Sequence, residues 1–201
     1  MIFENNRTNI NLFAKKIKSG ETVIFPTDTV FGIGCDATNT KVIKNIYTLK
    51  DRNNNKTLLL NFPNLRSIKQ YAVLNKIEKK LLKKFGTLTL IVKVKDGTNL
   101  SPLTVKDKCI GIRIPQNKSL KRILKKINTP LISTSCNKSG QPSAISVKEA
   151  EEVFPNIPIL QNSEPLSGTP STIIKINNSH IEILRQGSVT KKQISDYIRK
   201  I

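Results

Sequence analysis

Val23-Ile24-Phe25-Pro26-Thr27-Asp28-Thr29-Val30-Phe31-Gly32-Ile33-Gly34 is the stretch from which the rest of the chain can be read. Residues 22–25 make a short buried strand, and the chain then passes directly into a polar turn. Pro26 fixes the entry of that turn. Two hydroxyls and a carboxylate follow, and the glycines let backbone approach a ligand closely. In open α/β sheets, ligands bind beside strand ends of this kind.

Outward from this stretch, helical and strand-like patterns alternate, which predicts a mixed α/β fold. Residues 11–18 read as the end of a helix stopped by Gly20. Val42, Ile43, Ile46 and Leu49 recur at helical spacing within residues 40–50. Residues 57–62 read as a strand. Ile77, Leu81, Leu82 and Phe85 form one helical stripe with lysines on its solvated side. Strands are expected at 87–94, 110–114 and 131–133, with a helix at 120–127. Residues 172–176 and 181–184 flank Asn177-Asn178-Ser179-His180, a hairpin signal, and a last helix is expected at 191–200. No repeat, linker or shift in composition divides the chain, so one domain over residues 1–201 is expected.

The chain has 201 residues with 34 Lys plus Arg against 14 Asp plus Glu, a net charge of +20. Such a surface attracts polyanions. The excess is mostly Lys spread along the whole chain, which is also rich in Asn and Ile, as codon bias in an AT-rich genome produces. Residues 1–20 lack the continuous apolar run of a signal peptide, and no stretch is long and apolar enough for a membrane span. A soluble cytoplasmic protein with no membrane partner is expected. Cys35, Cys109 and Cys136 are widely spaced and form no C-x-x-C pair, which predicts reduced packing thiols and no zinc site. The one histidine, His180, falls in the hairpin, which argues against serine–histidine or zinc–histidine chemistry.

Four polar clusters follow apolar segments. The first is the turn at Thr27, Asp28 and Thr29. The second is Lys50-Asp51-Arg52 with Lys56, cations suited to a triphosphate. The third is Arg113 inside the apolar strand Gly111-Ile112-Arg113-Ile114. A buried arginine needs an anionic partner, either a structural carboxylate or that of a substrate. The fourth is the loop from Ser133 through Ser135, Asn137 and Ser139 to Ser143, rich in neutral donors and acceptors for a nucleotide.

In this order the clusters resemble the YrdC-domain threonylcarbamoyl-AMP synthases, over roughly residues 9–187. The matching pieces are Pro26 to Gly34, Lys50-x-Arg52, Leu88-Thr89, Arg113-Ile114-Pro115, Ser135-Cys136-Asn137-x-Ser139-Gly140, Ser171-Thr172 and Leu184-Arg185-x-Gly187. The resemblance implies a YrdC-like α/β fold, a twisted open mixed sheet flanked by helices with a large basic concave face. It implies that L-threonine, bicarbonate and ATP, with Mg2+ on the ATP phosphates, give threonylcarbamoyl-AMP and pyrophosphate. Downstream tRNA threonylcarbamoyl transferase proteins are implied as partners, with tRNA or double-stranded RNA as a further one. Carried over residue by residue, Lys50 and Arg52 act on the ATP phosphates with help from Lys56. Ser135, Asn137, Ser143 and Arg185 contact the nucleotide. Thr27, Thr29, Arg113, Ser133 and Ser171 contact threonine. No protein metal ligand is implied.

The chain departs from the family pattern at Asp28 (usually Glu), Asn53 and Thr57 (usually Pro), Asn61 (usually His) and Pro170 (usually Glu). Both prolines are also missing from the segment Phe85-Gly86-Thr87-Leu88-Thr89. It resembles the short, single-domain type. Two other readings stay open, a YciO-type paralogue and an RNA-binding YrdC-like protein without full synthase activity.

Overall fold

The computed structural model describes residues 1–53, 58–177 and 180–200. The opening stretch is a hairpin. β2 (Val23–Pro26) and β3 (Phe31–Gly34) pair antiparallel, with Phe25 opposite Gly32, and Thr27 to Val30 form the connection. The remaining strands are β1 (Ile2–Phe3), β4 (Leu59–Asn61), β5 (Leu88–Lys93), β6 (Cys109–Arg113), β7 (Leu131–Ser135), β8 (Ile159–Leu160), β9 (Thr172–Asn177) and β10 (His180–Arg185). They join in one mixed sheet in the order β1-β8-β2-β3-β7-β4-β6-β5-β9-β10. β4 runs parallel to β6 and β5 parallel to β9, whereas β7 is antiparallel to both its neighbours, β3 and β4.

The helices are α1 (Arg7–Lys18), α2 (Thr40–Leu49), α3 (Leu65–Ile68), α4 (Lys76–Lys84), α5 (Lys118–Ile127), α6 (Val147–Val153) and α7 (Lys191–Arg199). The asparagine-rich composition has a local use. Asn6, Asn39, Asn64, Asn75 and Asn117 each accept a backbone N–H at a helix start, closing a donor the helix leaves open. Asn128 ends α5 at φ 60°, a left-handed position that asparagine tolerates.

Three apolar clusters cover the sheet unevenly. α2, α4 and α7 pack Ile43, Ile46, Leu81, Leu82 and Ile194 against Leu60, Leu90, Ile112, Ile132 and Ile174. α1 and α5 pack on Val23, Phe25, Leu131 and Leu160. α6 brings Ala150 onto Ile24, Phe31 and Ile33. Strand residues alternate between faces, so Leu59, Ile91 and Ile173 point away from the first cluster. They belong to no cluster and line an open hollow.

The helical stripes and longer strands fall where the sequence pattern places them. β3 is a correction to the polar turn expected there, and β1, β8, α3 and α6 have no counterpart in the residue pattern. Lys56 and Thr57, and the hairpin residues Asn178 and Ser179, lie outside the described residues. His180 opens β10 and is exposed. Cys35 and Cys136 are buried free thiols and Cys109 is half-buried. No described helix is long and apolar enough to cross a membrane.

Candidate functional site

The turn after β2 is held by hydrogen bonds whose direction can be worked out. The Thr27 hydroxyl donates to the Val30 carbonyl at 2.7 Å and accepts the Thr29 N–H at 3.0 Å. Its single proton is then spent, so in the 2.9 Å contact between the two hydroxyls Thr29 is the donor. Thr29 Oγ1 therefore turns only lone pairs outward, one of them towards Arg113 Nη1 at 3.4 Å.

Arg113, the last residue of β6, is 6% exposed. Its Nε donates to the Gly86 carbonyl at 2.6 Å and its Nη2 to Asp28 Oδ2 at 2.6 Å. Asp28 also accepts the backbone N–H groups of Gln116 and Asn117, at 2.9 and 2.6 Å to Oδ1. One carboxylate thus ties the turn, the end of β6 and the start of α5 together. Burial pulls the Arg113 pKa below its usual value, and Asp28 pushes back. The anionic partner expected from the sequence is therefore present inside the protein. Its separation of 85 residues from Arg113 kept it out of sight in the linear pattern.

Lys50 and Arg52 leave α2 in different directions because of how that helix stops. Asp51 sits at φ 50°, the Asp51 N–H donates to Thr48 O, and the Arg52 N–H donates to Tyr47 O. This is a Schellman stop with aspartate in the left-handed position usually held by glycine. Lys50, 1% exposed, turns inward. Its ammonium donates to Ser135 O, to Asn137 O (2.6 Å) and to Asn137 Oδ1 (2.9 Å). Asn137 Oδ1 also accepts from Ser135 Oγ, and the Ser139 N–H donates to Lys50 O. The lysine therefore pins the serine loop to α2 from both its side chain and its backbone. Burial first, then repulsion from Arg52 and Lys138, pulls its pKa down to about 8.

Arg52 turns the other way, into a hollow of about 260 Å³ on the open face of the sheet. Thr27, Thr29, Gly32, Arg113, Ser133, Thr134, Ser135, Ser171 and Arg185 also line it. Arg185 donates from Nε and Nη2 to Ser171 O, and from Nη2 to Ser171 Oγ at 3.0 Å. The Ser171 hydroxyl in turn meets Thr89 Oγ1 at 3.0 Å. Partial burial lowers the Arg185 pKa, and the fields of Arg113 and Arg52 lower it further, so Arg185 feels both of the other guanidinium groups. Among the described residues, no carboxylate lines the hollow. Such a hollow favours an anionic ligand that brings its own hydrogen-bond acceptors.

Gly32 makes room for the serine row, since a Cβ there would lie 2.8 Å from Ser133 Oγ. Two residues further along the same strand, a Cβ at Gly34 would collide with Ile132 O, so the strand can pair closely with β7 only without one.

Of the residues singled out from sequence, Thr27, Thr29, Arg52, Arg113, Ser133, Ser135, Ser171 and Arg185 share the hollow. Lys50 and Asn137 stand behind Ser135 as the loop knot and do not line it. Ser143 is half-buried, next to Ala144, and does not line it either. Asn61 is 2% exposed with its amide towards Leu131 O and is not among the lining residues, whereas Pro170 is. Sequence reasoning missed Asp28 as the partner of Arg113, the Gly86 carbonyl on its Nε, and Thr89 beneath Ser171. Among the described residues no group of three or more His, Cys, Asp or Glu converges as a metal centre.

The fold and the hollow together define an α/β protein with a cationic, hydroxyl-lined seat for an anionic ligand. The Sua5/YciO/YrdC family model, described as "Telomere recombination", matches residues 15–187, and the chain belongs to that family. It is 33% identical over 196 residues to a Methanocaldococcus jannaschii protein provisionally named a threonylcarbamoyl-AMP synthase, covering 96% of this chain and 92% of the relative. It is 28% identical to the threonylcarbamoyl-AMP synthase of Bacillus subtilis, covering 98% of this chain but 58% of that protein. The crystal structure of P. abyssi Sua5 complexed with L-threonine superposes with a TM-score of 0.91 at 25% identity, covering 100% of this chain and 62% of that one.

Proposed function

We propose that this protein is an L-threonylcarbamoyladenylate synthase of the cytoplasm, a nucleotidyltransferase serving tRNA threonylcarbamoyladenosine modification. The observation that carries the reading is the convergence of Arg52, Arg113 and Arg185 with the hydroxyls of Thr27, Thr29, Ser133, Ser135 and Ser171 on one hollow. The names of the relatives and the threonine in the P. abyssi structure support the same reading.

In this reading the threonine amine condenses with bicarbonate, with loss of water, to give a carbamate. A carbamate oxygen then forms a bond to the α-phosphorus of ATP, and the bond from that phosphorus to the bridging oxygen breaks. Pyrophosphate leaves with the electron pair. Alignment and charge neutralisation drive such a step, and no protein nucleophile is needed. Arg113, Thr27, Thr29, Ser133 and Ser171 hold threonine. Arg52, Lys50, Lys56, Ser135, Asn137, Ser143 and Arg185 hold the nucleotide, and Lys50 and Arg52 act on the phosphates. Magnesium carried on the ATP phosphates would offset part of their charge; among the described residues the lining holds no carboxylate to ligate it. To reach a phosphate, the Lys50 ammonium exchanges a carbonyl oxygen for a phosphate oxygen. The product then passes to tRNA threonylcarbamoyl transferase proteins, and the basic surface gives tRNA a place to approach.

The test is pyrophosphate release from ATP and bicarbonate with labelled threonine. Release that depends on threonine is expected. Its absence in protein that still binds RNA or ATP would move the chain to the RNA-binding or YciO-type reading.

A further inference from the structure

The Asp28 carboxylate has no place in the reaction, yet it makes the most connected set of polar contacts near the hollow. We infer that Asp28 is a positioning residue, the one that orients Arg113 and so makes the hollow selective for a carboxylate-bearing amino acid. This rests on the synthase reading given above.

A guanidinium carries five N–H groups. On the edge of Arg113 formed by Nε and Nη2, one N–H goes to Gly86 O and one to Asp28 Oδ2, both at 2.6 Å. That edge is closed. What remains for a ligand is the end of the group, around Nη1, whose one hydrogen-bond contact among the described residues is the long 3.4 Å approach to Thr29 Oγ1. Thr29 in turn has spent its proton on Thr27 and can only accept.

The hollow therefore presents two adjacent and opposite demands. Arg113 asks for an acceptor such as a carboxylate, and Thr29 asks for a donor such as a hydroxyl or an amine. An α-amino acid carries both at short separation. Asp28 maintains this polarity because its two oxygens are fixed from the far side by Arg113 and by the amides of Gln116 and Asn117. Both side chains of the pair are nearly buried, at 8% and 13% exposure, so water is a poor substitute for either partner.

Asp28→Asn separates the two jobs of this carboxylate. The amide oxygen still accepts from Gln116 and Asn117, so the start of α5 is kept. The amide nitrogen now faces Arg113 Nη2, donor against donor. Binding of L-threonine, of L-threoninol (which lacks the carboxylate) and of ATP is measured by calorimetry on the full chain. Asp28→Glu serves as the conservative rescue. Asp28→Asn is expected to weaken L-threonine by about 10- to 100-fold, the range for one charge-assisted hydrogen bond. L-threoninol and ATP are expected to change by less than about 3-fold, and Asp28→Glu to restore most of the discrimination.

The exchange rate of the Arg113 Nε proton by nitrogen-15 NMR is an independent reading. Slow exchange is expected in the wild type and fast exchange in Asp28→Asn. An unchanged preference for threonine over threoninol, or an equal loss for ATP, would overturn the inference. Wild-type protein that binds neither L-threonine nor L-threoninol would overturn the synthase reading instead. The Arg113 signal would then decide the role of Asp28 alone, and an unaltered exchange rate would remove it.

Discussion

Two buried cations flank the hollow, and they are satisfied in different ways. Arg113 has a carboxylate partner at 2.6 Å and a carbonyl besides. Among the described residues, Lys50 meets neutral oxygens, two carbonyls and an amide. The first charge is neutralised where it stands and is fixed in place. The second is held by dipoles alone, its pKa falls to about 8, and a negative group would improve its surroundings. The difference suits the two halves of the proposed substrate pair. A small carboxylate is read by a rigid arginine, and a large polyphosphate is met by a lysine that gains from letting go of the protein.

Removing the dipole-held charge is the strongest way to break this comparison. Lys50→Ala or Arg52→Ala is expected to lower threonine-dependent pyrophosphate release by about 1000-fold, at the upper end for loss of one transition-state donor. Circular dichroism should show the fold intact. Wild-type-like turnover in either variant would refute the phosphate role.

Removing the paired charge should act on the other substrate. Arg113→Ala is expected to raise the threonine requirement by about 100-fold and the ATP requirement far less. It leaves Asp28 buried with one partner fewer, so a stability loss of roughly 3 kcal/mol is expected in thermal or urea unfolding. Equal effects on both substrates would erase the distinction between the two sides.

The comparison sharpens with pH. Lys50 loses its proton as pH rises through about 8, so ATP affinity is expected to fall about 10-fold between pH 7 and 9. Stability should move the opposite way. The folded-state value of about 8 lies below the ordinary 10.5, so the contribution of this group is fully present above 10.5 and is lost as pH falls through 8. The unliganded fold therefore gains from Lys50 on alkalinisation while ATP binding loses. In Lys50→Met both profiles should be flat over this window, and a Lys50→Met protein that keeps the ATP profile would assign the titration elsewhere.

The smallest effect concerns the loop itself. Burial raises the Cys136 thiol to about 12, opposed by Lys50. Thiol labelling of the native protein should therefore be slow at Cys136, and faster in Lys50→Met if the lysine pins the loop. An unchanged rate would mean that the loop stays shut without it.

Much of this was legible in the residue pattern, for physical reasons that differ by element. The stripes on α2 and α4 and the long run of β5 show because each buries one face against the same core. β3 does not show because it is buried on both sides and carries two glycines, which look like a turn. The two-residue strands β1 and β8 carry no periodicity at all. In the site, the need of Arg113 for an anion followed from its place in an apolar strand, but not which anion, because a separation of 85 residues is closed only by the sheet. Lys50 was read as a phosphate ligand from its charge. Its present partners are backbone and amide oxygens, which no residue pattern records.

Gly32 and Gly111 lie on the strand face that looks into the hollow, where a Cβ would strike Ser133 Oγ at 2.8 Å and Leu59 Cδ2 at 2.6 Å. Space for a substrate is thus carved here by omission, one missing methyl per strand. A methyl added at either place would push side chains into the cup from below while leaving every charged group in the chain, so shape and charge can be varied apart from one another.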